Sequence, residues 1–163
     1  MTELLEALYR GDDARVEELL GQGGELNVFE AAAFGRTERL RELLDEDPTR
    51  ADAFGDDGFQ PLGLACFFGH VDAARLLLER GADPNTLARN EHIQTSALHA
   101  AAASENKDPE TRYELCKLLL EGGADPNLRQ GGRADEGFRA IDAAQMTGHE
   151  RLERLLLDHG AQA

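Results

Sequence analysis

The 163-residue sequence has no tryptophan and only two cysteines, and it lacks any long apolar run. Two cysteines, Cys66 and Cys116, cannot form the disulfide framework of a small secreted scaffold, so buried reduced thiols are expected. No apolar run reaches the roughly 18 residues that a membrane-spanning helix needs. The first residues, MTEL, lack the basic segment of a secretory signal. These absences predict a cytoplasmic protein.

Basic side chains are also scarce. The chain has 17 Lys and Arg against 32 Asp and Glu, which gives a formal net charge of −15. A field of this sign repels phosphate backbones and anionic lipid, so neither nucleic acid nor a membrane is an expected partner. It attracts cationic partners instead. Hydrophobic residues still make up 41% of the chain, which is enough for a packed core.

A short segment recurs along the chain. Residues 81–85 (GADPN) return as residues 123–127, and a shortened copy stands at residues 160–161. Three leucines precede each copy, and a segment rich in small residues precedes the leucines: PLGLA, ALHAA and AIDAA at residues 61–65, 97–101 and 140–144. Each unit therefore predicts a small-residue helix, a leucine-rich helix, a glycine cap and a turn. One unit cannot cover its own apolar face, so neighbouring units must stack.

These residues resemble the ankyrin repeat, which has a β-turn, two antiparallel helices and a T-P-L-H-x-A signature in about 33 residues. Residues 58–65 (GFQPLGLA) match the signature best, and Gly69 and His70 continue the match. The resemblance implies an all-α ankyrin repeat solenoid of about five helix-turn-helix units with turn-like fingers, of the small bacterial type. We expect a single domain over residues 1–163, with repeats at about 1–27, 28–54, 55–87, 88–129 and 130–163. The predicted helix pairs are 2–10 and 13–21, 28–34 and 37–45, 61–68 and 71–80, 97–104 and 109–121, and 140–147 and 150–159.

Some positions depart from the family pattern. The capping threonine of the signature is replaced by Gln60, Ser96 and Arg139, of which only serine is a good N-cap. We therefore expect the first helices of repeats three and five to begin less firmly. His99 stands at the signature histidine, which in the family bonds neighbouring turns, and we expect a structural role for it.

Motifs for chemistry are not found. The histidines do not form an HExxH or Cys/His metal spacing. The acidic residues 45–58 do not follow the alternating oxygen pattern of a calcium loop, so we interpret them as an inter-repeat turn with a solvated acidic tip. Cys66 and Cys116 are expected to be small core residues. No cofactor or metal is predicted.

The resemblance also implies where a partner would bind. In the family, the residues at the ends of the first helices and the turn tips line a concave groove. Aromatic residues are frequent interface anchors, and a polar rim surrounds them. Five of the seven phenylalanines fall at these positions, beside acidic turn tips. Phe34 and Phe67 could instead pack as core between repeats. The candidate partner-binding residues are Phe34, Asp56, Asp57, Phe59, Phe67, Phe68, His92, Ile93, Asp135, Glu136, Phe138 and Met146.

Three hypotheses for function remain open. The leading one is a non-catalytic protein–protein interaction module whose groove binds another protein or a peptide, with a basic and partly apolar contact segment. The second is an acidic inhibitor, or antitoxin-like neutraliser, of a basic enzyme, motivated by the charge of −15. The third is an enzyme or metal carrier with a pocket between the extended turns of repeats four and five, built from His92, Arg89, Arg133 or Asp135.

Overall fold

The computed structural model describes residues 1–104, 108–133 and 137–163. Over these residues the chain forms five successive pairs of α-helices, which confirms the predicted all-α solenoid, and each predicted helix is found with its ends shifted by two residues or fewer. The helices are α1 (Glu3–Arg10), α2 (Asp13–Gly21), α3 (Val28–Ala33), α4 (Thr37–Glu46), α5 (Pro61–Phe67), α6 (Val71–Glu79), α7 (Ala97–Ala102), α8 (Pro109–Glu121), α9 (Ala140–Met146) and α10 (Glu150–Asp158).

The helices stack in two columns because their buried residues differ in size. The first helices of pairs two to five place fully buried alanines against one another, and small side chains let these backbones approach closely. The second helices contribute buried leucines, each worth about 1.5–3 kcal/mol when fully removed from water. The central alanines are Ala32, Ala65, Ala101 and Ala144, and the matching leucines are Leu44, Leu77, Leu119 and Leu156.

The N-termini of the first helices follow the expectation from their capping residues in repeats three and four, but not in repeat five. The hydroxyl of Ser96 accepts a hydrogen bond from the His99 amide at the start of α7. Gln60, at the same position before α5, makes no such side-chain bond. Before α9, the Asp142 carboxylate compensates by accepting a bond from the backbone N–H of Arg139 at 2.7 Å. Only α5 therefore lacks a side-chain bond at its N-terminus among these three helices.

The stretch between the second and third pairs differs from the predicted turn. A 3-10 helix spans Pro48–Asp52. The Asp47 carboxylate caps it by accepting from the Thr49 amide at 3.0 Å, and Pro48 stands at its first position, where no amide donor is needed. Ala51 is 2% exposed and joins the core. The acidic residues here thus begin a short helix and are only partly a solvated tip.

The recurring GADPN segment holds successive repeats together. The Asn85 side chain donates to the carbonyl of Gly123 at 2.9 Å and accepts from the Asp125 amide at 2.7 Å. Asn127 repeats this arrangement one unit later, donating to Gly160 at 2.8 Å. Each asparagine therefore satisfies backbone groups of the next turn, which explains why the segment recurs in register.

The turn tips of repeats three, four and five are joined by backbone hydrogen bonds. Gln94 and Gly131 form an antiparallel bridge with N–H···O distances of 2.9 and 3.0 Å. The Arg89 amide donates to the Gly58 carbonyl at 2.8 Å. Gly58 has a φ of +83°, and a Cβ there would lie 2.5 Å from the Arg89 carbonyl carbon. Glycine is thus required at this contact by both conformation and space.

We expect Gly58→Ala to destabilise the chain by more than about 2 kcal/mol, because the new Cβ strains φ and displaces the Arg89 backbone. Gly11→Ala is the matched control, since Gly11 has a φ of +66° but open space around its Cβ. The control should lose only about 1 kcal/mol. Urea unfolding measures both values, and equal losses would show that the contact between the two turns contributes nothing.

Candidate functional site

A cavity of about 270 Å³ lies between α5 and α7, beside the turn tips of repeats four and five. Phe59, Phe67, Ile93 and Phe138, four of the candidate residues, line it together. We call this cavity the apolar pocket; the remaining residues that line it are Tyr9, Gly63, Leu64, Thr95, His99, Ala100, Ala103 and Gln130.

Backbone hydrogen bonds join the two described ends of the fifth turn, residues 130–131 and 137–138, beside the pocket. The Gln130 amide donates to the Phe138 carbonyl at 2.8 Å, and the Gly137 amide donates to the Gln130 carbonyl at 2.7 Å. The bridge between Gln94 and Gly131 then aligns this turn with the fourth, which carries Ile93. The described parts of the two lengthened turns therefore lie side by side, with Ile93 and Phe138 at the pocket.

His99 connects the pocket to the repeat stack. Its Nδ1 accepts a hydrogen bond from the Ser96 amide at 3.2 Å, and its Nε2 lies 3.0 Å from the Phe138 carbonyl oxygen, to which it donates. Burial lowers the pKa of the imidazole below its ordinary value, although the bond to Phe138 opposes this shift. Because both ring nitrogens are occupied, His99 offers a pocket ligand mainly carbon surface. The structural role expected for this residue is confirmed.

An aromatic cluster lies next to the pocket. The rings of Phe67 and Phe68 meet edge to face with centroids 5.1 Å apart, and Tyr9 lies 5.8 Å from Phe68. Phe34 and Phe68 pack against the buried residues Leu5, Ala33 and Leu64. The structure thus places Phe34 and Phe68 in this neighbouring cluster, outside the pocket lining. Phe67 belongs to both, because it packs on the core and lines the pocket.

Acidic residues lie beside the pocket at the third turn. Asp57 accepts a hydrogen bond from the Tyr9 hydroxyl at 3.2 Å and another from the Phe59 amide at 3.1 Å. The Asp56 side chain is 90% exposed and pairs with the Met1 ammonium at 2.8 Å. We call Asp56 and Asp57 the acidic rim. It borders an open depression of about 470 Å³, which is also lined by the exposed candidate residue His92.

The other candidate residues lie elsewhere. Met146 is 80% exposed at the end of α9 and does not line the pocket. Asp135 and Glu136 lie outside the described residues. Arg89, considered for a catalytic pocket, stacks its guanidinium 3.8 Å from the centroid of the Phe54 ring.

Eight of the twelve residues that line the pocket were not candidate residues, and Tyr9 and Gly63 are the two that matter most for its shape. Tyr9 belongs to the first helix pair, which lacks the repeat signature, so no alignment pointed to it; its spacing of four from the buried Leu5 was the available signal. Gly63 replaces the signature histidine in the repeat that otherwise matches best. That replacement was visible in the sequence, but its consequence for the groove was not.

Other reactive groups are enclosed. Cys66 and Cys116 are fully buried, and burial raises the pKa of both thiols, that of Cys116 to about 12. Within residues 1–104, 108–133 and 137–163, no group of three or more His, Cys, Asp or Glu side chains could hold a metal ion. In the same residues, no helix combines the length and apolarity needed to cross a bilayer.

Stacked helix pairs with a groove along one face are typical of repeat proteins that act as protein–protein interaction modules. A family model described as ankyrin repeats (3 copies) matches residues 3–88 and 29–130. The chain belongs to the ankyrin repeat family.

Three curated relatives show how far the similarity extends. The cattle protein cyclin-dependent kinase 4 inhibitor B is 33% identical over 144 residues, which cover 85% of this chain and 95% of that protein. The human DNA-binding protein RFXANK is 36% identical over 47% of this chain and 28% of its own length. Rat ankyrin repeat and SAM domain-containing protein 6 is 30% identical over 80% of this chain but only 13% of its own length. The chain thus spans nearly all of the cattle relative and a small part of the other two.

We expect stability to fall as the pH drops below about 6.5, the ordinary pKa of histidine. Folding lowers the pKa of His99, so the unfolded chain takes up the proton first and is favoured in acid. His99→Gln should lose less unfolding free energy than the wild type between about pH 7 and about pH 5. His70, whose pKa burial also lowers, contributes equally to both proteins. Urea unfolding at the two pH values tests this, and identical losses would contradict it.

Proposed function

We propose that the chain binds a basic, partly apolar segment of a partner protein in the groove formed by the apolar pocket and the acidic rim, and that it does so without catalysis. The observation that carries the proposal is the proximity of the two features. Tyr9 lines the pocket, and its hydroxyl bonds Asp57 of the rim. A bound segment could therefore place an apolar side chain and a cationic group side by side.

The two features would contribute differently to binding. Full burial of one large apolar side chain is worth about 1.5–3 kcal/mol, a useful share of the roughly 8 kcal/mol of a micromolar complex. Exposed carboxylates such as Asp56 add little affinity of their own, but with a net charge of −15 they accelerate the approach of a cationic partner. In the proposed module, apolar contact therefore prolongs the lifetime of the complex, and charge raises the rate at which the complex forms.

The absence of catalysis is supported by how the reactive side chains are used. Four imidazoles lie within hydrogen-bond distance of backbone carbonyl oxygens, at 2.8–3.0 Å: those of His70, His99, His149 and His159. Both cysteines are buried thiols. A nucleophile with an ordered base would need side chains that these structural bonds leave available.

Selection of a random displayed-peptide library on the purified chain tests the proposal. We expect the selected peptides to carry net positive charge and at least one aromatic or large aliphatic residue. Their association rate should fall several-fold between about 50 mM and about 300 mM salt, because added ions screen the acidic rim. Biolayer interferometry measures this rate. Neutral or acidic peptides with salt-independent rates would contradict the proposal.

Neutralising the acidic rim gives the matched comparison. Asp56→Asn with Asp57→Asn should slow association of the selected peptides more than Glu17→Gln with Glu79→Gln, which removes the same charge from exposed positions on α2 and α6. Circular dichroism confirms that both double variants fold. Equal slowing by the two pairs would show that only net charge matters and that the rim is not the contact.

A second candidate function is inhibition of a partner enzyme. The similarity to cattle cyclin-dependent kinase 4 inhibitor B favours this candidate, because the 33% sequence identity extends over 95% of that protein. The acidic charge of the chain also suits an enzyme with a basic surface. We expect stoichiometric amounts of the chain to reduce phosphorylation by purified cyclin-dependent kinase 4 with its cyclin. If an excess of the chain leaves the kinase activity unchanged, the chain does not inhibit cyclin-dependent kinase 4.

A further inference from the structure

Gly63 lies inside α5, where the fold itself does not require glycine. Its φ is not in the left-handed region, and a Cβ added to it would meet nothing within 4 Å. Glycine in a helix interior is about 1 kcal/mol less favourable than alanine. The chain therefore gives up helix stability at a position with room for a side chain.

The equivalent position in three other repeats carries a polar side chain. Glu30 in α3, His99 in α7 and Asp142 in α9 each accept a hydrogen bond from the backbone N–H of their own N-cap residue, at 2.9, 3.2 and 2.7 Å. Gly63 has no side chain to accept a bond from the N–H of its N-cap residue, Gln60. The Gln60 side chain also makes no capping hydrogen bond to α5. Repeat three thus lacks both the side chain and the bond that its neighbours share.

The space in front of Gly63 is the apolar pocket, which Gly63 itself lines. A cavity of roughly 150 Å³ is enough to hold benzene, so about 270 Å³ accommodates one large side chain. The lining groups Phe67, Ile93 and Phe138 present apolar surface. The polar atoms of His99 are already paired with backbone groups. The pocket therefore favours carbon over a polar or charged group.

Charge next to the pocket specifies what accompanies the apolar group. Tyr9 lines the pocket and its hydroxyl donates to Asp57, while the neighbouring Asp56 side chain is 90% exposed and pairs with the Met1 ammonium. A lysine or arginine adjacent to the anchor would meet these carboxylates, whereas an acidic residue would be repelled.

We propose that Gly63 keeps the apolar pocket open for one aromatic, leucine or methionine side chain of the partner, carried on a segment with lysine or arginine beside it. The inference rests on the proposed function and adds to it the anchor of the partner and the residue that makes room for it.

Filling the pocket from Gly63 tests the inference with the peptides selected above. Gly63→Ala should raise the melting temperature by roughly 2–4 °C, because it restores helix propensity without a clash.

Gly63→Leu should weaken peptide binding at least about tenfold while the chain stays folded. Ala103→Leu fills the pocket from an exposed position on the opposite wall and should weaken binding similarly, which covers the case that Gly63→Leu disturbs α5. Gly21→Leu, in open space on α2, is the control that should bind as the wild type does.

A double-mutant cycle links the anchor to the pocket. Replacing the apolar anchor of a selected peptide by alanine should cost at least about tenfold in affinity for the wild type but little more for Gly63→Leu. Additive losses, or peptides that bind Gly63→Leu as tightly as the wild type, would overturn the inference and leave the proposed function intact. If the library yields no peptides that carry both basic residues and an apolar anchor, the inference and the proposed function are both overturned. A dimer of the chain alone that Gly63→Leu dissociates would assign the pocket to a second copy and overturn the partner anchor.

Discussion

The architecture depends on one constraint: a pair of short helices cannot cover its own apolar face. The alanines of the first helices and the leucines of the second helices are buried only because the next pair lies against them. Asn85 and Asn127 add a hydrogen-bonded link from each turn to the next. The positions of the groove side chains therefore follow from stacking, because neighbouring repeats contribute opposite walls.

The departures from the repeat pattern cluster where the pocket lies. Gly63 removes a capping side chain, Gln60 leaves α5 without a side-chain cap, and the lengthened turns of repeats four and five supply Ile93 and Phe138. Elsewhere the capping bonds persist, as at Glu30 and Asp142. Proteins commonly break local rules at functional sites while the rest of the fold supplies stability. Repeats three to five, which together line the pocket, therefore combine local departures from the pattern with a site for binding.

Much of the fold could be predicted because recurring residues mark the ends of many helices. Recurring leucine triplets and glycine caps marked the helices of repeats three to five to within two residues, and the family resemblance located the first two pairs equally well. The 3-10 helix at Pro48–Asp52 was missed, since its aspartate cap and proline are equally typical of a turn. The aromatic positions were predicted as one set, but repeat alignment gives only the face of a helix. Whether a ring such as Phe68 enters the pocket or packs beside it depends on contacts with Tyr9, which belongs to a repeat without the signature.

A crystal structure of the chain with one selected basic peptide would show directly which groups occupy the apolar pocket and the acidic rim. We expect an apolar peptide side chain to fill the pocket in front of Gly63, in contact with Phe67 and Ile93. We also expect a peptide lysine or arginine to lie within salt-bridge distance of Asp56 or Asp57. A peptide bound on the outer face of α4, α6 or α8, with the pocket empty, would contradict both expectations.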